Sequence, residues 1–412
     1  MDNIGTVPRL RLPPAAFAWS VAWIVTMALL AAVQFTSRDP DSQLYAGISA
    51  RLVQEPVSQW IAPQWWGFWN SEGPYCEHPV GMFVVPALLG RLGYPPLQAA
   101  YAVNALYQVI SFGLITLIAA TVATRRQARA LTCLLQLLPI AFVFRVRANQ
   151  EYAVLAGVLF ALYATERART RPAWSIGMVA GFCAVLLVKG VFAVMVPVTC
   201  VVWLLARTSS NRRRFSDLAA WAAIIAMPLA GAVVAWGYES AYVHATGRSF
   251  LEIYRSRQLP EGEITGQSYV GRAAYTASWY LTRVAWYAFP WSLVAIGFAV
   301  RAIAQGAWLP WRRREAGAID EGRQGAWFAV VAAVVLTAAF SLAHRKADRY
   351  IFPVYFFIAG GGAGAALRRW PRLQRFAEVA DRPWAPAALY VVLVMITVAS
   401  TGKLPRFTFW RT

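Results

Sequence analysis

Asp41, Glu77 and Glu151 each stand at a polar break beside an apolar run, and so do the cations Lys189, Arg255, Arg257, Lys346 and Arg349. Carboxylates so placed accept protons or orient hydroxyls. Arginine and lysine hold phosphate oxygens through charge-assisted hydrogen bonds. Ionisable groups at membrane depth are costly, so they pair with one another or line a cavity. The combination suits a phosphate-bearing, sugar-bearing lipid. Rings accompany it in "WIAPQWWGFWN" (60–70) and at Tyr275, Trp279, Tyr280, Trp286, Tyr287 and Trp291. Stacked rings suit a sugar, although an interfacial aromatic belt is the plainer account of most of them.

Each polar group also has a structural reading. Asp41 or Ser42 can cap the helix that follows Pro40, and a cap made by Asp39 or Ser42 would leave Asp41 facing a cavity. Arg145 or Arg147 can form a structural salt bridge to Glu151. Lys189 can snorkel to the interface. Against that, Lys189-Gly190 breaks about thirty apolar residues, which is tolerated where the backbone lines a cavity.

The elements that must position these groups follow from composition. Of 412 residues, 58% are hydrophobic and 14% charged, against about 25% charged in a soluble domain. Apolar runs of about 16 to 24 residues recur along the chain, each long enough for ~30 Å of hydrocarbon. An all-α, polytopic membrane protein is expected. The first run exceeds a signal-peptide core and reads as a retained span. The net charge of +20 comes from arginines clustered between runs, which hold loops in the cytoplasm, so no nucleic-acid partner is implied. The four cysteines give no disulfide framework: Cys133, Cys183 and Cys200 fall in apolar runs and Cys76 in a polar loop. No P-loop, dinucleotide fingerprint, paired-Cys or HExxH motif is present, so no soluble cofactor is implied.

Placing the arginine clusters in the cytoplasm gives eleven spans, at about 15–35, 99–123, 130–146, 151–165, 173–188, 190–206, 217–237, 288–304, 326–343, 350–367 and 385–402. Residues 1–14 are then cytoplasmic, 15–402 form the membrane domain, and 403–412 are a periplasmic tail. "EHPVGMFVVPALLGRLG" (77–93) is too short for a span and reads as an interfacial or re-entrant helix. The periplasmic face then comprises long loops at 36–98 and 238–287, with amphipathic helices, and tight turns at 147–151, 188–191 and 344–350. That face collects His78, His244 and His344, together with all three lysines, against 36 arginines.

In this order the motifs resemble the membrane glycosyltransferases that use polyprenyl-phosphate sugars, of the lipid A aminoarabinose transferase and protein O-mannosyltransferase type. "DSQLYAGIS" matches the acidic motif before "YAEIS", with Asp41 leading and Ser42 replacing the neighbouring acid. "QWIAP" matches W-I-x-P, and Glu77-His78-Pro79 stands for E-K-P. "NQEY" puts Glu151 where an Asp is usual, "VKG" stands for "TKG", and Phe289-Pro290-Trp291 is "FPW". Lys346, Tyr350 and Pro353 match K-x-x-x-Y-x-x-P. The seven matches run in order between residues 15 and about 367.

The resemblance implies a GT-C-like fold and inverting transfer of a sugar from a polyprenyl-phosphate carrier to a periplasmic acceptor: lipid A, a glycan, another lipid or a protein. It implies a bacterial inner-membrane protein with its active site on the periplasmic side. Asp41 would be the general base or orient the acceptor, with Glu77 and Glu151 as further acids of the site. Lys189, Arg255, Arg257, Lys346, Arg349, Tyr350 and His78 would hold the lipid phosphate, although a histidine in place of lysine is mostly neutral at pH 7. Some relatives place a divalent metal near the equivalent of Glu77, and His244 is the candidate second ligand here. The competing reading is a non-catalytic lipid-linked-glycan binding or flipping protein of the same fold.

Overall fold

The structure is a computed structural model that describes residues 39–65, 73–145, 147–207, 215–258, 269–304, 321–342, 346–382 and 384–401. The expected first span at 15–35, His344, the tail 403–412 and part of the 60–70 aromatic set lie outside the described residues. In chain order the helices are α1 (Pro40–Gln54), α2 (Gly81–Arg91), α3 (Pro96–Ala119), α4 (Arg125–Gln136), α5 (Pro139–Arg145), α6 (Glu151–Ala168), α7 (Ser175–Lys189) and α8 (Met195–Arg207). They continue as α9 (Phe215–Thr246), α10 (Phe250–Gln258), α11 (Tyr269–Tyr287), α12 (Trp291–Ala304), α13 (Glu321–Ser341), α14 (Phe352–Arg369), α15 (Pro371–Ala380) and α16 (Ala385–Thr401). Helix starts follow local chemistry. Asp39 caps α1 with Pro40 at the first position, and Thr124 with Gln127 makes a reciprocal capping box on α4.

Five helical runs are long and apolar enough to cross a membrane: 96–119, 172–207, 217–246, 324–341 and 348–369. Two bent pairs qualify jointly, α4 with α5 at 66° and Ala273–Tyr287 with α12 at 114°. This is a multi-pass membrane protein, with five to seven such runs among the described residues. The expected span 130–146 is broken between Gln136 and Pro139. The expected loop 238–287 is largely helical: α9 runs on to Thr246, and α10 and α11 follow. At eleven residues, α2 is about 17 Å long, too short to span.

The run 172–207 doubles back. Gly177 packs on Phe160 and Ala164 near the end of α6. Lys189 pairs with Glu151 at the start of α6. The Trp203 indole then donates to Glu166 Oε2 at 2.8 Å, back at the first end. α7 and α8 are therefore two limbs turned at Gly190, whose φ of +59° favours glycine.

α6 is the central column, with 14 of its 18 residues buried, and it separates two chemically distinct ends. At its C-terminal end Arg169 pairs with Glu166 and Asp217, Arg207 with Glu166, and Arg126 and Arg129 with Asp381. At its N-terminal end, about 22 Å away, lie Glu151 and the groups described next.

Candidate active site

The start of α1 is locked by Asp39. Its carboxylate accepts the Ser42 N–H at 3.1 Å and lies 3.5 Å from Arg147 Nη1. The buried Ser42 hydroxyl is shared between Asp39 Oδ2 (2.8 Å) and Asn149 Oδ1 (2.7 Å) and accepts the Ala148 N–H at 3.0 Å. Asp39 is thus the cap, and the 147–149 turn is tied to it. Asp41, two residues on, points elsewhere: it ion-pairs with Arg349 and remains about one-third exposed.

The bland account of Glu151 is corrected. Its partner is Lys189, not Arg145 or Arg147, because Arg147 serves Asp39 and Arg145 donates to the Gln136 carbonyl at 2.9 Å. Lys189 does not snorkel; the pair is 1% and 2% exposed. Two charges removed from water this fully require each other. The Phe192 ring lies 5.5 Å from the Lys189 ammonium and 5.1 Å from the Tyr350 ring, joining this pair to the turn that carries Arg349. Beneath them Tyr152 packs edge-on to Phe352 at 5.0 Å, giving the site an aromatic floor.

His78 is buried, 6.3 Å from the Tyr45 ring, and its Nδ1 has no hydrogen-bond partner among the described residues. Burial, and then the charge of Lys189, hold its pKa well below 6.5. Tyr45 is pushed up by burial and by the nearby carboxylates Glu77 and Glu151. These groups share one electrostatic neighbourhood, in which burial works against a charged imidazole at His78.

The turn 346–350 faces α11. Lys346 Nζ sits 3.7 Å above the Tyr275 ring and 5.8 Å from Trp279. Asp348 accepts from Arg283 Nε at 3.1 Å and from the Tyr287 hydroxyl at 2.8 Å. Tyr275, Trp279 and Tyr287 therefore engage this turn rather than serving only as a belt, whereas Trp286 stays 67% exposed.

Arg255 is exposed on α10, and Arg257 lies on the same helix with its side chain outside the described residues. α10 is anchored through Tyr254. Its hydroxyl accepts the Val191 N–H at 3.2 Å and donates to the Lys189 carbonyl at 3.4 Å, and burial pushes its pKa up to about 12. His244 is exposed near the end of α9. Among the described residues no three of His, Cys, Asp and Glu approach closely enough to hold a metal ion, so Glu77 and His244 do not complete a metal centre there.

Sequence reasoning missed the Arg349 partner of Asp41, the roles of Tyr254 and Arg283, and the junction at Asn149. Only the dense charges of "HRKADRY" signalled that something converges on that turn.

The backbone as a whole superposes on two crystal structures of ArnT from Cupriavidus metallidurans. The apo form matches at TM-score 0.56 and 20% identity over 89% of this chain, and the form bound to undecaprenyl phosphate at 0.57 and 18% over 94%. The chain has the ArnT fold. It spans 62% of the length of the apo ArnT chain and 71% of the other. The archaeal oligosaccharyltransferase AglB from Archaeoglobus fulgidus, in complex with an inhibitory peptide and a dolichol-phosphate, matches at 0.51 and 11% identity, over 93% of this chain and 54% of AglB. Residues 77–236 match the dolichyl-phosphate-mannose-protein mannosyltransferase family. No curated protein matches the chain by sequence. Within the ArnT fold, the matched segment runs from Glu77 through Glu151 and Lys189 to most of α9.

Proposed function

We propose that the chain is an inverting glycosyltransferase that moves a sugar from a polyprenyl-phosphate carrier to an acceptor at the outer face of a bacterial inner membrane. The ArnT fold and the mannosyltransferase match over 77–236 support the reaction class. The observation that carries the reading is the convergence of Asp41–Arg349, Glu151–Lys189 and Lys346 on one end of the bundle. The arginine clusters gather at the opposite end, which favours a periplasmic site.

The chemistry is a single displacement. Asp41 takes the proton from the acceptor hydroxyl or orients an acceptor phosphate. The acceptor oxygen bonds to the anomeric carbon, and the bond from that carbon to the phosphate oxygen breaks. The electron pair leaves on the lipid phosphate. Lys346 and Arg349 stabilise the departing charge, with Arg255 and Arg257 of α10 as further candidate cations, and such stabilisation is usually the largest electrostatic term. A phosphate arriving at Arg349 competes with Asp41 for the guanidinium and so frees the carboxylate. Glu151 and Lys189 neutralise each other in the interior and fix the turn behind the site.

The test is transfer of radiolabelled sugar from a panel of polyprenyl-phosphate sugars to native membrane extract, wild type beside Asp41→Asn. Label moved by wild type alone supports the reading and identifies the donor. Equal transfer by both removes Asp41 from catalysis. Lipid binding without transfer by either protein favours the non-catalytic alternative.

A further inference from the structure

At the arginine-rich end, opposite Asp41, the bundle holds a half-open cavity of about 110 Å³. Its floor is apolar and buried: Leu135, Leu159, Leu162, Trp203, Phe328 and Phe356. Its mouth is half-buried and carries the polar groups, Gln127 of α4 and Arg368 of α14. Glycines keep it open: a Cβ at Gly360 would meet nothing within 4 Å, and one at Gly364 would lie 3.8 Å from Arg368 Nη1, which places the guanidinium along the cavity wall.

We infer that this cavity is a binding site for one acyl chain of an anionic phospholipid, with the lipid phosphate at Arg368. An apolar floor beneath a cationic rim is the form an anionic amphiphile requires. Basic pockets between membrane helices take anionic headgroups in this way. An apolar cavity of ~150 Å³ takes up benzene, so the few carbons of an acyl chain nearest the headgroup fit here. Since lipid tails already lie in hydrocarbon, the driving force is not water exclusion. It is the dispersion contact that an empty cavity forfeits, joined to the arginine–phosphate interaction. Leu159 and Leu162 lie eight and eleven residues along α6 from Glu151, about 12 to 16 Å, so this site is separate from the one at Asp41.

Native mass spectrometry of the detergent-purified full chain, incubated with phosphatidylglycerol or phosphatidylethanolamine, tests the inference. Wild type should retain one phosphatidylglycerol about tenfold more strongly than phosphatidylethanolamine. Gly360→Leu, which fills the cavity, should abolish that retention, and Arg368→Gln should reduce phosphatidylglycerol to the phosphatidylethanolamine level. Leu131→Phe, which narrows the mouth from α4, is the second variant should Gly360→Leu fail to fold. Undecaprenyl phosphate, distinguished by mass, should bind all variants alike if it binds the other end. Retention unchanged in both cavity variants, no preference between the two phospholipids, or displacement of the retained lipid by undecaprenyl phosphate would each overturn it.

Discussion

Asp41 and Arg349 are 308 positions apart in the chain and form an ion pair. Each reached that place separately. Asp39 caps α1 and so turns Asp41 outward, and Asp348, held by Arg283 and Tyr287, sets the turn from which Arg349 extends. The proposed role of Asp41 as the base leads to a first prediction. Asp41→Asn should lower sugar transfer by about 10² to 10⁴-fold, the usual contribution of a positioned acid–base group. Both partners are partly exposed, so unfolding should shift by less than ~1 kcal/mol. A thermal melt alongside the transfer assay separates the two effects, and a large loss of stability would make Asp41 a structural residue.

Glu151 and Lys189 behave differently because they are buried. Removing one partner, as in Lys189→Met or Glu151→Gln, should cost about 3 to 5 kcal/mol, since it leaves an uncompensated charge in the interior. The double variant should recover much of that loss. A double-mutant cycle on detergent-solubilised protein reads the coupling, and strictly additive losses would show that the two charges do not depend on each other.

His78 makes a pH prediction. Its folded pKa lies below the ordinary 6.5, first through burial and then through Lys189. The unfolded chain therefore binds the proton more readily than the folded one. Stability due to this group is complete above pH 6.5 and falls as pH drops toward the folded value. His78→Gln should flatten the acid side of the stability–pH curve. An unchanged slope would place the titration elsewhere.

The turn at Gly190 is held by Tyr254. Gly190→Ala would both strain a left-handed backbone and drive a methyl into the Tyr254 hydroxyl. The backbone strain alone costs roughly 1 to 3 kcal/mol, and the clash adds to it. Tyr254→Phe, which removes two hydrogen bonds without the clash, should cost less, about 0.5 to 1.5 kcal/mol per bond. If the phenylalanine variant proved the more damaging, the packing account of this turn would be wrong.

Lys346 meets Tyr275 and Trp279 but sits outside the ion pairs of the site. Lys346→Gln should raise KM for the lipid donor about tenfold with a smaller change in kcat, because a phosphate contact already made in the bound ground state appears mainly in KM. A pure kcat effect would move Lys346 from donor binding to the transition state.

Much of this was legible in one dimension. Apolar runs, arginine clusters and the polar breaks at Asp41, Glu151, Lys189 and Lys346 depend on local composition, because burial and charge placement are imposed residue by residue along the membrane normal. Sequence alone therefore determined a polytopic helical protein with its lysines and its candidate acids set at breaks beside apolar runs. The partners were decided by the tertiary structure. Arg147 lies four residues from Glu151 and was the local choice, yet Asp39 claims it, and Glu151 turns inward to a lysine 38 residues away. The break at Gln136–Pro139 and the reversal at Gly190 likewise depend on what packs against each segment. Hydrophobic pattern records which residues are buried; which charge meets which is set by long-range packing, where a buried ion can persist only beside its opposite.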